Sequence, residues 1–247
     1  MKILLLDIET APNVAHVWCL WQQNVGLPQI IEAGYVMCYA AKWLGERVTY
    51  FASVVDGERK MLAGVHKLMG EADAICHYNG ARFDIPTLNR EFIVNGYLPP
   101  SPAKNIDLLK VARNKFKFPS NKLDYVAKVL GVEQKLKHRG HQLWIDCMAG
   151  KKEAWEEMRR YNIQDVNVLE QVYEKMLPWI GNHPNVGVYD DVPDVCPNCG
   201  GSHFMRRGVA VAQLLKYHRF QCKDCGKWVR GTKTISDRGV ERLVGLN

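Results

Sequence analysis

Two sets of residues in this chain of 247 have the type and spacing that chemistry needs. The first is acidic. Asp7 and Glu9 follow the apolar run Ile3 to Leu6 in "MKILLLDIET", Asp84 follows the turn of "AICHYNGARFD", and Asp165 stands four residues beyond Tyr161 in "YNIQD". A buried carboxylate without a partner costs several kcal/mol or takes up a proton. Taken singly, Asp84 reads as a helix cap, Asp7 and Glu9 as the start of a loop, and Tyr161 with Asp165 as a hydrogen-bonded core pair. A bound cation accounts for all of them at once. Oxygen ligands without clustered His or Cys suit Mg2+ or Mn2+ rather than zinc or copper. Two such ions roughly 4 Å apart clamp the attacking and leaving oxygens of a phosphodiester, and four carboxylates are about what that arrangement requires.

The second set is sulfur. Cys196 and Cys199 in "CPNCG", and Cys222 and Cys225 in "CKDCG", form two Cys-x2-Cys pairs separated by 22 residues. That is the pattern of a four-thiolate site for one structural Zn2+, with a Gly after each pair to let the knuckle turn back. A zinc ribbon is expected over residues 195–232. A zinc deaminase is excluded, because none of the eight histidines is followed two places later by Glu. Cys19, Cys38, Cys76 and Cys147 sit singly and read as core thiols.

The elements that must position these groups follow from periodicity. Residues 2–8 read as a strand buried on both faces, and on a strand Asp7 and Glu9 point the same way. Residues 35–43 and 47–53 read as an antiparallel hairpin continuing it. A helix is expected over 57–70, a short strand at "ADAICHYNG", and a helix after Asp84, with Asp84 as its N-cap and Gly96 just past its end. Further helices follow Asp107 and Ser120, the latter closed by Gly131. A long helix over 151–177 carries Tyr161 and Asp165 in the same stripe as its apolar residues, four apart and therefore neighbours. Residues 178–194, rich in Pro, Gly, Asn and Asp, read as a linker, so two domains are expected, 1–185 and 186–247. His77, ending an apolar strand, reads as a hydrogen-bonded core histidine.

Composition narrows the class. With 47% hydrophobic and 24% charged residues the chain is of ordinary globular type. No apolar run is long enough to span a membrane and the first 25 residues lack a secretion signal, so a cytoplasmic protein with no membrane partner is expected. The formal charge of +7 is uneven, since residues 191–247 hold ten Lys/Arg against five Asp/Glu. Such asymmetry suggests a polyanionic partner. Arg206, Arg207, Lys216 and Arg219, with Tyr217, Phe220 and Trp228 among them, read as a phosphate-binding face with stacking platforms, or as charge that solvates the ribbon. Lys115 and Lys117 in "KFKF", and the run "KLKHRGH" (135–141), are further candidates for tracking a nucleic-acid strand.

The three acidic segments also resemble a family. "DIET", "HYNGARFDIPTL" and "YNIQD" resemble, in order and spacing, the three motifs of the DEDD 3′-5′ exonucleases in their tyrosine (DEDDy) form. The second motif is similar to that of the proofreading domain of family B DNA polymerases, as is "SNKLDYVAKVLGVEQK" between the second and third. The resemblance covers roughly residues 1–178. It implies an α/β, RNase H-like mixed sheet flanked by helices, with Asp7, Glu9, Asp84 and Asp165 as ligands of two Mg2+ or Mn2+ ions. It implies that Tyr161 holds or orients the attacking water, with Glu9 a candidate to share that task. Asn79 and Phe83 would contact the terminal nucleotides, Phe83 by stacking on a base unless it packs into the core. Arg82 departs from the Asn often found there and bears on strand contacts. The expected activity is hydrolysis of DNA from single-stranded or duplex 3′ ends. The chain resembles stand-alone nucleases, including phage-encoded ones, which would place it in the host cytoplasm. An RNA exonuclease or endonuclease with the same site, a proofreading subunit for a polymerase or other replication protein, and a non-catalytic nucleic-acid-binding adaptor remain alternatives.

Overall fold

The run Ile3 to Leu6 is almost wholly inaccessible on both faces, as its unbroken apolar character requires of a central strand. The structure is a computed structural model that describes residues 1–136, 138–212 and 214–235. Its strand β1 (Ile3–Thr10) runs two residues further than the expected 2–8, so Glu9 as well as Asp7 stands inside the strand. β1 is the middle of a five-stranded sheet. On one side it pairs antiparallel with β4 (Val36–Trp43), which pairs antiparallel with β5 (Thr49–Ser53). On the other side it pairs parallel with β6 (Ala74–His77), which pairs parallel with β7 (Lys104–Asp107). The order is thus β5-β4-β1-β6-β7, a mixed sheet. Two short strands, β2 (Val14–Ala15) and β3 (Ile30–Glu32), form a separate ribbon between β1 and β4.

Alternation along β1 assigns its side chains to two layers. Leu4, Leu6 and Ile8 pack with Leu62, Val65 and Met69 of α1 (Glu58–Glu71) and with Leu88 and Phe92 of α2 (Asp84–Val94). On the opposite layer, Met37 and Cys38 of β4 pack with Leu143 and Cys147 of α5 (His141–Met148) and with Ala154, Met158 and Tyr161 of α6 (Lys152–Met176). Asp7 and Glu9 belong to that second layer. Between α2 and α5 lie α3 (Leu108–Lys115), capped by the Asp107 carboxylate on the amides of Leu109 and Lys110, and α4 (Leu123–Leu130), closed by Gly131 at φ 66°.

Three local expectations are corrected. α4 starts at Leu123 with Lys122 as N-cap, and Ser120 only accepts the Lys122 amide at 3.3 Å. α2 starts at Asp84 itself, with Phe83 as N-cap and no side-chain cap. The Asp84 carboxylate turns instead to the β1 backbone, where Oδ1 accepts the Ile8 amide at 3.2 Å. Residues 178–194 are not a free linker. They contain α7 (Val186–Tyr189), capped by Asn185, and are tied to the first cysteine pair by the Val186 amide on the Pro197 carbonyl at 2.9 Å and by Asn198 on the Leu177 and Ile180 carbonyls.

The chain divides into two compact units, Lys2–Glu174 and the residues from Lys175 onward together with Met1. The second holds an antiparallel sheet of order β10-β9-β8, built from β8 (Phe204–Val211), β9 (Lys216–Cys222) and β10 (Trp228–Thr234). None of the described helices is long and apolar enough to cross a membrane.

Candidate functional site

β1 supplies Asp7 and Glu9, and α6 supplies Tyr161, Asn162 and Asp165. One carboxylate oxygen from each of Asp7, Glu9 and Asp165 lies within 4.8 Å of the others. Asp165 is 2% exposed, and its Oδ1 has no hydrogen-bond partner among the described residues. Asn162, wholly buried, donates from Nδ2 to Asp7 Oδ2 at 2.6 Å. Asp84 lies outside this group of three, held by the Ile8 amide, yet its charge is felt by Asp7 and Glu9.

Crowding acids in a buried place favours their neutral forms. Burial first, then Glu9, Asp84 and Asp165, hold the Asp7 carboxyl well above the usual carboxylate range. Burial and then Asp165 push Glu9 up to about 8, and burial pushes Asp84 up to about 6. Asp165 is raised by burial against the opposing pull of Lys135. Tyr161 is raised by burial and then by Asp165, so its hydroxyl stays protonated.

Lys135 is the residue that sequence reasoning missed here. It reads there only as one basic residue of "KLKHRGH", whereas its Nζ lies 2.5 Å from Asp165 Oδ2 and 3.3 Å from the Tyr161 hydroxyl. Burial alone would lower its pKa; Asp165 and Tyr161 outweigh that and hold it above the ordinary lysine value. The loop that carries it is fastened to α5 and α6 by Arg139, which reaches Asp146 at 2.8 Å and Glu157 at 3.0 Å. Hydrogen bonds from Lys151 and Gln142 bring Asp146 down to about 2, so this anchor is charged throughout the neutral range. Lys137 of the same run lies outside the described residues. Asn162 was also missed, although it stands three residues before Asp165 and thus on the same helical stripe.

A cleft of about 820 Å³ opens beside these groups, lined by Lys122, Asp124, Gln134, Lys135, His138 and Tyr161. The His138 ring stands edge-on to Tyr161 at 4.7 Å and to Trp144 at 5.1 Å. His77 is not part of the site. It is fully buried, its Nδ1 accepts the Gly80 amide at 2.9 Å and its Nε2 meets Asn105 Oδ1 at 3.0 Å. A side chain at Gly80 would strike that ring at 2.6 Å, which fixes the turn leading to Asp84. In the same turn Asn79 takes φ 73° and its amide meets Asp107 Oδ1 at 3.0 Å. Phe83 is 45% exposed, so it is not core packing, and Arg82 is exposed. Lys115, the last residue of α3, and Lys117, between the partly buried Phe116 and Phe118 of the segment that follows, are both exposed.

In the second unit the four cysteines converge, with Cys196 Sγ 3.7 Å from Cys225 Sγ and Cys199 Sγ 3.7 Å from Cys222 Sγ. Tetrahedral thiolates at about 2.3 Å from one ion stand about 3.8 Å apart, so the separations fit a four-thiolate metal site. The Gly201 amide points at Cys199 Sγ at 3.4 Å, as a knuckle requires. The basic residues nearby do not make one face. Arg206, opposite Phe220, bonds His218 at 2.7 Å on one side of the sheet, and Arg219, opposite Arg230, lies on the other. There Arg219 covers Trp228 at 5.0 Å and Arg230 covers Tyr217 at 4.1 Å, so these two aromatic platforms are already occupied by guanidinium groups. Alternation along β9 sends Lys216 to the Arg206 side; Arg207, within a register shift of β8, gives its carbonyl to Arg219 Nε at 2.9 Å.

A mixed sheet with acids from its central strand and a facing helix defines a nuclease-type fold, and residues 35–177 match the family model of the RNase H superfamily. The chain belongs to that superfamily. Among solved structures it is similar to the family B DNA polymerase from the hyperthermophilic archaeon Pyrobaculum calidifontis, with a TM-score of 0.54 and 20% identity. The match covers 72% of this chain and 24% of the polymerase, and it is a likeness of fold. No curated protein sequence matches the chain.

Proposed function

We propose that this protein is a metal-dependent 3′-5′ exonuclease that hydrolyses phosphodiester bonds of DNA, acting on single-stranded ends. The observation that carries the reading is the convergence of Asp7, Glu9 and Asp165, with one Asp165 oxygen unpartnered among the described residues. Four acids that burial drives toward protonation are a poor structural device and a good cation site. Asp7, Glu9, Asp84 and Asp165 would hold two Mg2+ or Mn2+ ions, which would supply positive charge against the developing charge of the phosphate and acidify a water. The polarity rests on the likeness of the three acidic segments to the DEDDy exonucleases. The choice of DNA rests on that likeness and on the similarity of fold to a DNA polymerase.

The protein's own groups then divide the work. Asn162 fixes the Asp7 carboxylate in one rotamer. Tyr161, kept protonated, offers a hydroxyl that aligns the attacking water without removing its proton. Lys135 brings an ammonium to the same place, where it balances Asp165 before substrate arrives and faces the phosphate afterwards. Asn79, Arg82 and Phe83 lie on the turn before Asp84, where an exposed ring can stack on a terminal base. Lys115 and Lys117 are candidates for tracking the strand. In the second unit Cys196, Cys199, Cys222 and Cys225 would hold one structural Zn2+, and Arg206, Arg207, Lys216 and Arg219 would add affinity for phosphates.

Digestion of end-labelled single-stranded and duplex DNA and of RNA, each with Mg2+, Mn2+ or a chelator, tests the reading. Stepwise shortening from the 3′ end of DNA, abolished by chelation, is expected. Internal cuts, or a clear preference for RNA, would replace it with one of the related nuclease activities.

A further inference from the structure

Between Thr10 and Tyr35 the chain leaves the sheet as an arm that contributes no residue to the acid cluster. Its neck is the β2/β3 pair, reinforced by the His16 amide on the Gln29 carbonyl at 2.9 Å and by Gln29 Nε2 on the His16 carbonyl at 2.9 Å. Its root is fixed by the Ala11 amide on the Tyr35 carbonyl at 2.9 Å and by Arg90 on the Gly34 carbonyl at 2.7 Å. Gly34 passes so close to the Ala11 carbonyl that a side chain there would collide with it. A rigid stem thus presents an apex, and the apex carries Trp18 at 98% exposure, Trp21 at 82% and Leu20 at 81%. Two indoles left in water are unfavourable for the isolated chain and call for a partner.

Three observations select that partner. Glu32 is the only formally charged residue from 11 to 34, so the arm has no cationic side chain to attract phosphate and suits a flat, uncharged surface. The Trp18 ring has both faces bare, which fits a stack rather than a pocket. The arm also starts one residue after Glu9, and Thr10 and Pro12 at its root line a hollow of about 380 Å³ together with His138, His141 and Trp144. His138 lines the cleft beside Tyr161 as well, so the root of the arm borders the place where a strand end would lie. We propose that Trp18 and Trp21 are stacking platforms for bases of the strand whose end is held at Asp7, Glu9 and Asp165. This rests on the nuclease reading above and adds to it a binding element that reads bases without regard to sequence.

The test compares wild type with Trp18→Ala/Trp21→Ala on oligodeoxythymidylate and on an abasic strand of equal length, both in Ca2+, with digestion of the same DNA by wild type in Mg2+. Both side chains are exposed, so the substitutions leave the core intact; the Trp18→Phe/Trp21→Phe variant keeps aromatic faces and is the rescue control. Wild type is expected to prefer the thymidylate strand. The alanine variant is expected to bind it at least about fivefold more weakly, the lower end of one base–aromatic stack. It should bind the abasic strand as wild type does, keep the same dependence on salt, and recover with Phe. Unchanged affinity for thymidylate would overturn the proposal, as would equal loss on both strands. An alanine variant that changes only its oligomeric state would show the arm to be a contact between copies, which also overturns it. If wild type neither binds nor digests DNA, the nuclease reading has failed first and the arm proposal falls with it.

Discussion

Asn162 Nδ2 and Asp7 Oδ2 are 2.6 Å apart, and that one hydrogen bond ties the long helix to the central strand at the point where three acids meet. A carboxylate fixed from behind by a neutral amide keeps its full charge for a cation in front. Asn162→Ala is therefore expected to lower the affinity for Mn2+ and the rate of hydrolysis by about 10- to 100-fold, the usual cost of losing such an outer contact. It should lower stability by about 1–3 kcal/mol, because a buried oxygen loses its donor. Titration calorimetry with Mn2+ and denaturant melts separate the two effects; a variant with unchanged ion affinity would show that Asp7 needs no such support.

Lys135 stabilises the acid cluster in the absence of ions, and its removal should be felt most in that state. Lys135→Met is expected to cost the metal-free protein about 2–3 kcal/mol. That is below the ~3–5 typical of a broken buried pair, since the ammonium is partly exposed and Asp165 can take up a proton. Added Mg2+ should restore most of the loss. A variant as stable as wild type without Mg2+ would mean that the contact with Asp165 contributes nothing.

The acids give a definite pH dependence. Glu9 is raised from near 4.5 to about 8 and Asp84 from near 3.8 to about 6 in the metal-free protein. The stability these groups contribute is fully present below the lower values and is lost as pH rises through the higher ones, so the metal-free protein should weaken between about pH 4 and 8. A cation competes with those protons, and its thermal stabilisation should grow over the same window. Melting curves with and without Mg2+ at pH 5.5 and pH 8 check the sign. A larger Mg2+ effect at the lower pH would contradict it.

How much of this is readable in the sequence depends on periodicity. Asp7 and Glu9 share a face because a strand repeats every two residues, and Tyr161 and Asp165 share a stripe because a helix repeats every 3.6. Cys196, Cys199, Cys222 and Cys225 declare their convergence by spacing alone. Lys135 could not be read this way, since it lies in a loop with no repeat to give it a direction. The Asp84 carboxylate misled for a different reason: Asp before a helical pattern is a common cap, and only the tertiary structure shows the Ile8 amide competing for it. The division of Arg206 and Arg219 between two faces was readable from strand alternation, but a dense run of basic and aromatic residues suggests one surface when its register is unknown.

The cysteine cluster should behave as a structural unit. Purified protein is expected to carry about one Zn2+ per chain, and Cys222→Ser to lose it together with the fold of β8, β9 and β10. Metal analysis and far-ultraviolet circular dichroism report the two together; full strand content without Zn2+ would show that the sheet does not depend on the ion. Cleavage of short oligonucleotides should survive the substitution, because the acid cluster belongs to the other compact unit.

The most direct test is digestion of 5′-labelled single-stranded DNA in Mg2+ by wild type and by Asp165→Asn. That substitution keeps the shape of the side chain and its place beside Lys135, and removes only the charge. Wild type should give a ladder shortening stepwise from the 3′ end, and Asp165→Asn should give none while melting as a folded protein. The same ladder from purified Asp165→Asn would show that the acid cluster is not where the chemistry occurs.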